Sequence, residues 1–194
     1  DQALAAGKVI RARDSQPAGL RVDNHNLAQA LPFALEQKLD FLVLDAGDGL
    51  PGIGAELGGA PDLAILNHAV AQLRALNREE EIDLVYFGGL RTGTDSAKML
   101  ALGAKTVVLG AAAAIALGAD VSTGKAVYDA DLSTEERDER CFNLIQAFNA
   151  ESSMMARCTG KTNVHNLEPE DLRAITLAAS HVAGVPMAGS LHQF

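Results

Sequence analysis

Residues Leu84 to Ala114 read LVYFGGLRTGTDSAKMLALGAKTVVLGAAAA, and this stretch decides the fold. LVYF and TVVL are short runs rich in β-branched and aromatic side chains. They are apolar at consecutive positions, as strands buried on both faces are. Each passes through small residues directly into helical sequence: Gly88, Gly89 and Gly93 follow the first, and Gly110, Ala111 and Ala112 follow the second. A strand-to-helix turn stripped of bulk leaves backbone N–H groups uncrowded where a helix begins and partial positive charge accumulates. One such turn reads equally as an anion cradle or as a place where a helix packs close to the sheet. Two in succession favour the cradle, because barrels build phosphate sites from the loops after strands seven and eight. Arg91 follows the double glycine, and its planar fork suits a phosphate as well as a surface carboxylate.

Working outward, Phe41 to Asp45 (FLVLD) is a third run of the same kind. Helical periodicity covers Asn26 to Leu39, Leu63 to Arg78 and Asp95 to Leu102, which sets a β-loop-α-β rhythm. Right-handed crossovers of this sort build either an open doubly wound sheet or a barrel. Upstream, Lys8 to Arg11 and Leu20 to Val22 are further strand candidates on either side of the turn sequence SQPAG. Downstream, a long amphipathic helix is expected from Thr134 to Cys158, with Phe142, Ile145, Phe148 and Met155 turned inward. A last helix is expected to open at Pro169 and stop at Gly184.

The chain has 194 residues, 48% of them hydrophobic and only 4% aromatic, enough to bury a core of α/β type. A net charge of -9 repels nucleic acid and anionic lipid surfaces, so no nucleic-acid partner is expected. The acidic run Glu135 to Glu139 reads as a solvated helix face. Cys141 and Cys158 stand too far apart along one helix to be bridged and read as small buried hydrophobes in a reduced, cytoplasmic setting. No leader, membrane span or Cys/His cluster with metal spacing is visible, so no metal site is expected.

Gly88 to Ala119 (GGLRTGTDSAKMLALGAKTVVLGAAAAIALGA) resembles the phosphate-binding region of the FMN-dependent synthase domain of glutamate synthase, most closely the stand-alone subunits of N-methylglutamate synthase type. Gly160 to Gly189 (GKTNVHNLEPEDLRAITLAASHVAGVPMAG) is similar to the helical carboxyl end of the same group. The resemblance implies a parallel (β/α) barrel of TIM type, represented here by its carboxyl-terminal half plus a helical tail. Residues 1–118 form the half barrel with the FMN phosphate site, and 119–194 a loop and helical extension packed on it. Gly88, Gly89, Leu90 and Arg91 fall on the first phosphate turn, and Gly110, Ala111 and Ala112 on the second. Half a barrel exposes sheet edges, so an oligomer or a second polypeptide is expected.

The implied activity is reduction, by flavin, of an imine of 2-oxoglutarate to glutamate or an N-substituted glutamate. The implied partners are an amidotransferase and a glycine-rich β-helix subunit. The sequence departs from the family at three places. Phe87 stands where Ser or Asp usually precedes the double glycine; Phe41 to Glu56 (FLVLDAGDGLPGIGAE) replaces the family's glycine-rich GGTGA loop; and Asp120 to Leu132 lacks the cysteine cluster of an iron–sulfur centre. The first two, with the missing half of the barrel, favour an alternative, a non-catalytic barrel remnant or assembly subunit; the third argues against electron supply through such a centre. A phosphosugar barrel enzyme sharing only the phosphate site is a third reading. Asp45, at the carboxyl end of its strand, and next Asp48 are the acids placed for catalysis at a barrel mouth, or else for capping the loop. His68 reads as a plain helix residue and His165 as a hydrogen-bond donor fixing its loop.

Overall fold

A computed structural model describes residues 16–47, 56–57 and 62–190. The candidate strand at Lys8 to Arg11 and the candidate acid Asp48 lie outside them, as do Gly49, Gly52 and Gly54. Four strands, β1 (Gly19–Asp23), β2 (Phe41–Asp45), β3 (Asp83–Phe87) and β4 (Thr106–Val108), pair side by side in chain order, all parallel. Between them run the helices α1 (Leu27–Glu36), α2 (Ala64–Leu76) and α3 (Gly93–Ala101). This is a partial (β/α) barrel.

Period two splits the sheet into unlike faces. Leu42, Leu44, Leu84 and Tyr86 point toward the helices and are buried with Leu31, Ile65, Leu66 and Leu73. Arg21, Val43, Val85, Phe87 and Val108 share the opposite face, which stays half-buried or exposed. In strands read from apolar runs alone this asymmetry is invisible. It arises because one face meets helices and the other faces the axis of the barrel.

After β4 come α4 (Ala111–Ala116), a hairpin of β5 (Ala119–Asp120) and β6 (Val127–Tyr128), and α5 (Thr134–Cys158). Ser133 caps α5: its hydroxyl accepts from the Glu136 amide while Glu136 accepts from the Ser133 amide. Only Phe148, Ser152 and Ala156 of α5 are buried. Two expectations are corrected here, since Phe142 and Ile145 are 62% and 52% exposed. At 1.5 Å per residue, a helix of 25 residues outruns α3, which has nine, and its amino-terminal half meets the shorter α4 and the hairpin instead, leaving Phe142 and Ile145 uncovered. Cys141, in that amino-terminal half, and Cys158, the last residue of the helix, are likewise exposed rather than buried.

The last helix also differs from expectation. Pro169 opens only a 3-10 turn (Pro169–Asp171), the backbone then extends, and Ala174 bridges to Met187 in parallel. Thr176 caps a new helix, α6 (Leu177–Ala183), by accepting from the Ala179 amide. A residue suited to capping thus splits what periodicity reads as one element. Among the described residues no helix is long and apolar enough to cross a membrane.

Candidate functional site

The register of the sheet brings together residues that the sequence keeps apart. Asp45 ends β2, one strand from Arg21 of β1, and the Arg21 Nε and Nη2 both donate to Asp45 Oδ2, at 2.9 and 2.6 Å. The other carboxylate oxygen accepts from the Gly47 amide at 2.9 Å. Asp45 is therefore an ion-paired loop cap, 4% exposed, with both oxygens engaged. Phe87, next across the sheet, lies under the Arg21 guanidinium, 4.7 Å from it at the ring centroid. Arg21 was not visible as a site residue from sequence. A lone charge inside an apolar strand, on the same pleat face as Asp45, was the available signal.

The first turn, Gly88 to Arg91, feeds α3. The last amide of the turn and two in the first turn of the helix are committed to the protein. The Arg91 amide donates to Asp95 Oδ2 at 3.2 Å, the Asp95 amide to Thr92 Oγ1, and the Thr94 amide to Glu151 Oε2 of α5 at 3.3 Å. Ser152 Oγ donates to the Gly93 carbonyl at 2.8 Å. Gly93 permits this approach, since a Cβ there would stand 2.2 Å from the Phe148 carbonyl oxygen. The first helix N-terminus is thus closed by α5.

The second turn is closed by a carboxylate. Glu56, only 3% exposed, accepts from the Ala111 amide with both oxygens, at 3.0 and 3.1 Å. Gly110 makes room for it, because a Cβ at that position would lie 1.8 Å from Oε1.

Both turns nevertheless open on one hollow of about 400 Å³. Gly89, Leu90 and Arg91 line it from the first turn, Ala111 and Ala112 from the second, Glu56 from below and Leu144 from α5. Gly88 lies just outside, packed against Ala46. Arg91 borders the hollow that Glu56 also lines, and among the described residues its guanidinium has no carboxylate partner.

Other candidates fall elsewhere. His68 Nδ1 lies 3.0 Å from Asn24 Oδ1, and Asn24 donates to Asp62 Oδ2 at 2.8 Å, a surface chain outside the hollow. The loop at His165 is fixed by the Asn163 side chain, which accepts from the His165 amide. Tyr86 sits fully buried on the helix side, its hydroxyl without a partner among the described residues, and burial, then the charges of Asp62 and Asp95, push its phenol well above the usual value. Among the described residues no three His, Cys, Asp or Glu side chains converge on a metal position.

Solved structures with this arrangement of strands and helices include a flavocytochrome b2 mutant with benzoylformate, at 20% identity and a TM-score of 0.59, matched over 99% of this chain and 45% of that one. The recombinant flavin-binding domain of baker's yeast flavocytochrome b2 matches at 19% identity and 0.59, over 96% and 44%. At that identity the likeness is one of fold. A glutamate synthase large subunit-like protein of Rhizobium meliloti is 33% identical over 190 positions, 81% of this chain and 43% of that protein. An archaeal-type glutamate synthase [NADPH] of Thermotoga maritima is 33% identical over 117 residues, 55% of this chain and 22% of its own. The chain spans less than half the length of either relative. Residues 21–161 match the model of the conserved region in glutamate synthase, and the chain belongs to the glutamate synthase family.

Proposed function

We propose that this chain is the phosphate-binding half of an FMN-dependent oxidoreductase of glutamate-synthase-like type, reducing an imine of 2-oxoglutarate to glutamate or an N-substituted glutamate. The observation that carries the reading is the hollow shared by the two turns. Its volume lies within the range of small-molecule pockets, about 300–1,000 Å³. The donor set fits a phosphate: a carboxylate already stands as an internal anion on the Ala111 amide, in a cradle that a side chain at Gly110 would fill, and Arg91, without a carboxylate partner among the described residues, borders the same hollow.

In this reading Gly89, Leu90 and Arg91 on one side and Gly110, Ala111 and Ala112 on the other hold the FMN phosphate, and apolar Leu90 and Leu144 keep water from it. Bound FMN in its reduced form supplies the hydride that the imine accepts. Arg21 gives a fixed positive charge at the strand ends, oriented by Asp45 and by the Phe87 ring, where it offsets the carboxylates of a keto-acid substrate. Asp45 then positions Arg21 and is not a free base. By family likeness, an amidotransferase and a glycine-rich β-helix subunit supply ammonia and scaffold in a cytoplasmic complex, and further barrel strands cover the open sheet face.

One observation favours a second reading, a non-catalytic assembly subunit: carboxylates of Glu56 and Glu151 already occupy the turn amides. Flavin binding separates the two. The native protein, titrated with FMN and with sugar phosphates, is expected to turn yellow and quench flavin fluorescence saturably, with sugar phosphates failing to compete. A colourless protein that takes up no added FMN overturns the flavin reading.

A further inference from the structure

Glu56 has no part in the chemistry proposed above, yet it is the most deeply buried acid of the hollow. Its carboxylate rests on one neutral amide, and among the described residues no lysine or arginine pairs with it. A buried carboxylate without a cation is held less firmly than one in an ion pair, because desolvation is offset by the hydrogen bond alone. Arg91 meanwhile borders the same hollow, and among the described residues no carboxylate pairs with it. A dianion entering between the turns gains both the Ala111 amide and the Arg91 fork, whereas Glu56 has only the amide. Gly110 is spared a Cβ just where Glu56 lies, so the space that admits the carboxylate is the space an incoming anion needs.

We propose that Glu56 is a tethered competitor for this anion position: its carboxylate leaves the Ala111 amide before the phosphate end of a ligand enters, and its presence weakens the hollow's hold on phosphate-bearing ligands. The identity of the ligand rests on the reading given under the proposed function; the displacement does not. Once displaced, the acid remains close to the bound dianion and repels it, which favours exchange of the ligand over permanent retention.

The test titrates the full chain and its Glu56→Gln variant with FMN, read by flavin fluorescence, and with inorganic phosphate, read by the Ala111 amide resonance. Glu56→Gln keeps the shape and removes the charge. The Kd for both anions is expected to fall roughly tenfold, the difference made by one charge-assisted contact. Equal or weaker binding of FMN by the variant overturns the proposal while leaving the flavin reading intact. Tighter phosphate binding by the variant with no FMN binding by either protein supports the competitor and removes the flavin. No binding of either anion to either protein removes both. Should Glu56→Gln lose its near-ultraviolet circular dichroism, Glu56→Asp, which keeps the charge but shortens its reach to the Ala111 amide, takes its place with a smaller tightening expected, and no tightening overturns the proposal.

Discussion

Replacing Gly93 by alanine tests whether α5 truly closes the first turn. A Cβ at Gly93 would stand 2.2 Å from the Phe148 carbonyl oxygen and 2.7 Å from Glu151 Cβ, where ordinary contact begins near 3.4 Å, so α3 and α5 must part by roughly 1 Å. Backbone cannot rotate out of the way as a side-chain tip can. Overpacking of this kind costs about 1–3 kcal/mol, and stretching the Ser152 bond to the Gly93 carbonyl adds about 0.5–1.5. Alanine regains under about 1 kcal/mol of helix propensity at this first helical position. The net loss is about 2–3 kcal/mol, which for a chain of this length lowers Tm by about 5–10 °C. Thermal and urea unfolding followed by far-ultraviolet circular dichroism measure it, with Ser152→Ala as the companion that removes the hydrogen bond alone, at about 1 kcal/mol. A Gly93→Ala protein melting within about 2 °C of the parent would refute the packing of α5 on the first turn.

Three further outcomes are expected. Tyr86→Phe removes a buried hydroxyl with no hydrogen-bond partner among the described residues, so urea unfolding should find it neutral or stabilised by up to about 1 kcal/mol; a loss greater than that would reveal a bound water or other partner. Arg21→Ala leaves the buried Asp45 carboxylate without its cation and should destabilise the sheet by about 1–3 kcal/mol, a cost that Asp45→Asn in the same protein largely removes in a double-mutant cycle. The Ser133 amide, then the Ser133 hydroxyl, hold the Glu136 carboxyl below its ordinary value of 4.5. The cap is therefore complete above pH 4.5 and is lost as pH falls through the lower folded value, so amide exchange at the start of α5 should quicken on acidification, and Glu136→Gln should abolish that dependence.

Much of the architecture is local enough to read from the chain. Phe41 to Asp45 and Thr134 to Cys158 begin and end as their patterns require, and β3 starts only one residue early, at Asp83. Strand composition, glycine placement and the Ser133 cap are all encoded within a few residues. What escapes is set by partners distant in sequence. Glu56 reads as one acid in a glycine-rich loop, and only the fold lands it on an amide 55 residues later. Arg21 acquires its role through a strand register that brings it to a carboxylate 24 residues away. Phe142 and Ile145 obey the helical period, but period fixes direction and says nothing of whether a neighbour is there to meet. The two glycine turns were legible as places where amides gather; that Glu56, Glu151 and Asp95 sit on those amides was not.

The unlike faces of the sheet bear on how the folded state is diagnosed. Phe41, Val43, Val85 and Phe87 stay only half-buried and Val108 is 36% exposed, so a well-packed chain offers a fluorescent dye such as ANS an oily surface without any loosening of its interior. Dye brightening, the usual hallmark of a molten state, therefore does not diagnose one wherever that face is left uncovered, and the fixed environment of buried Tyr86 in near-ultraviolet spectra separates a native preparation from a collapsed one.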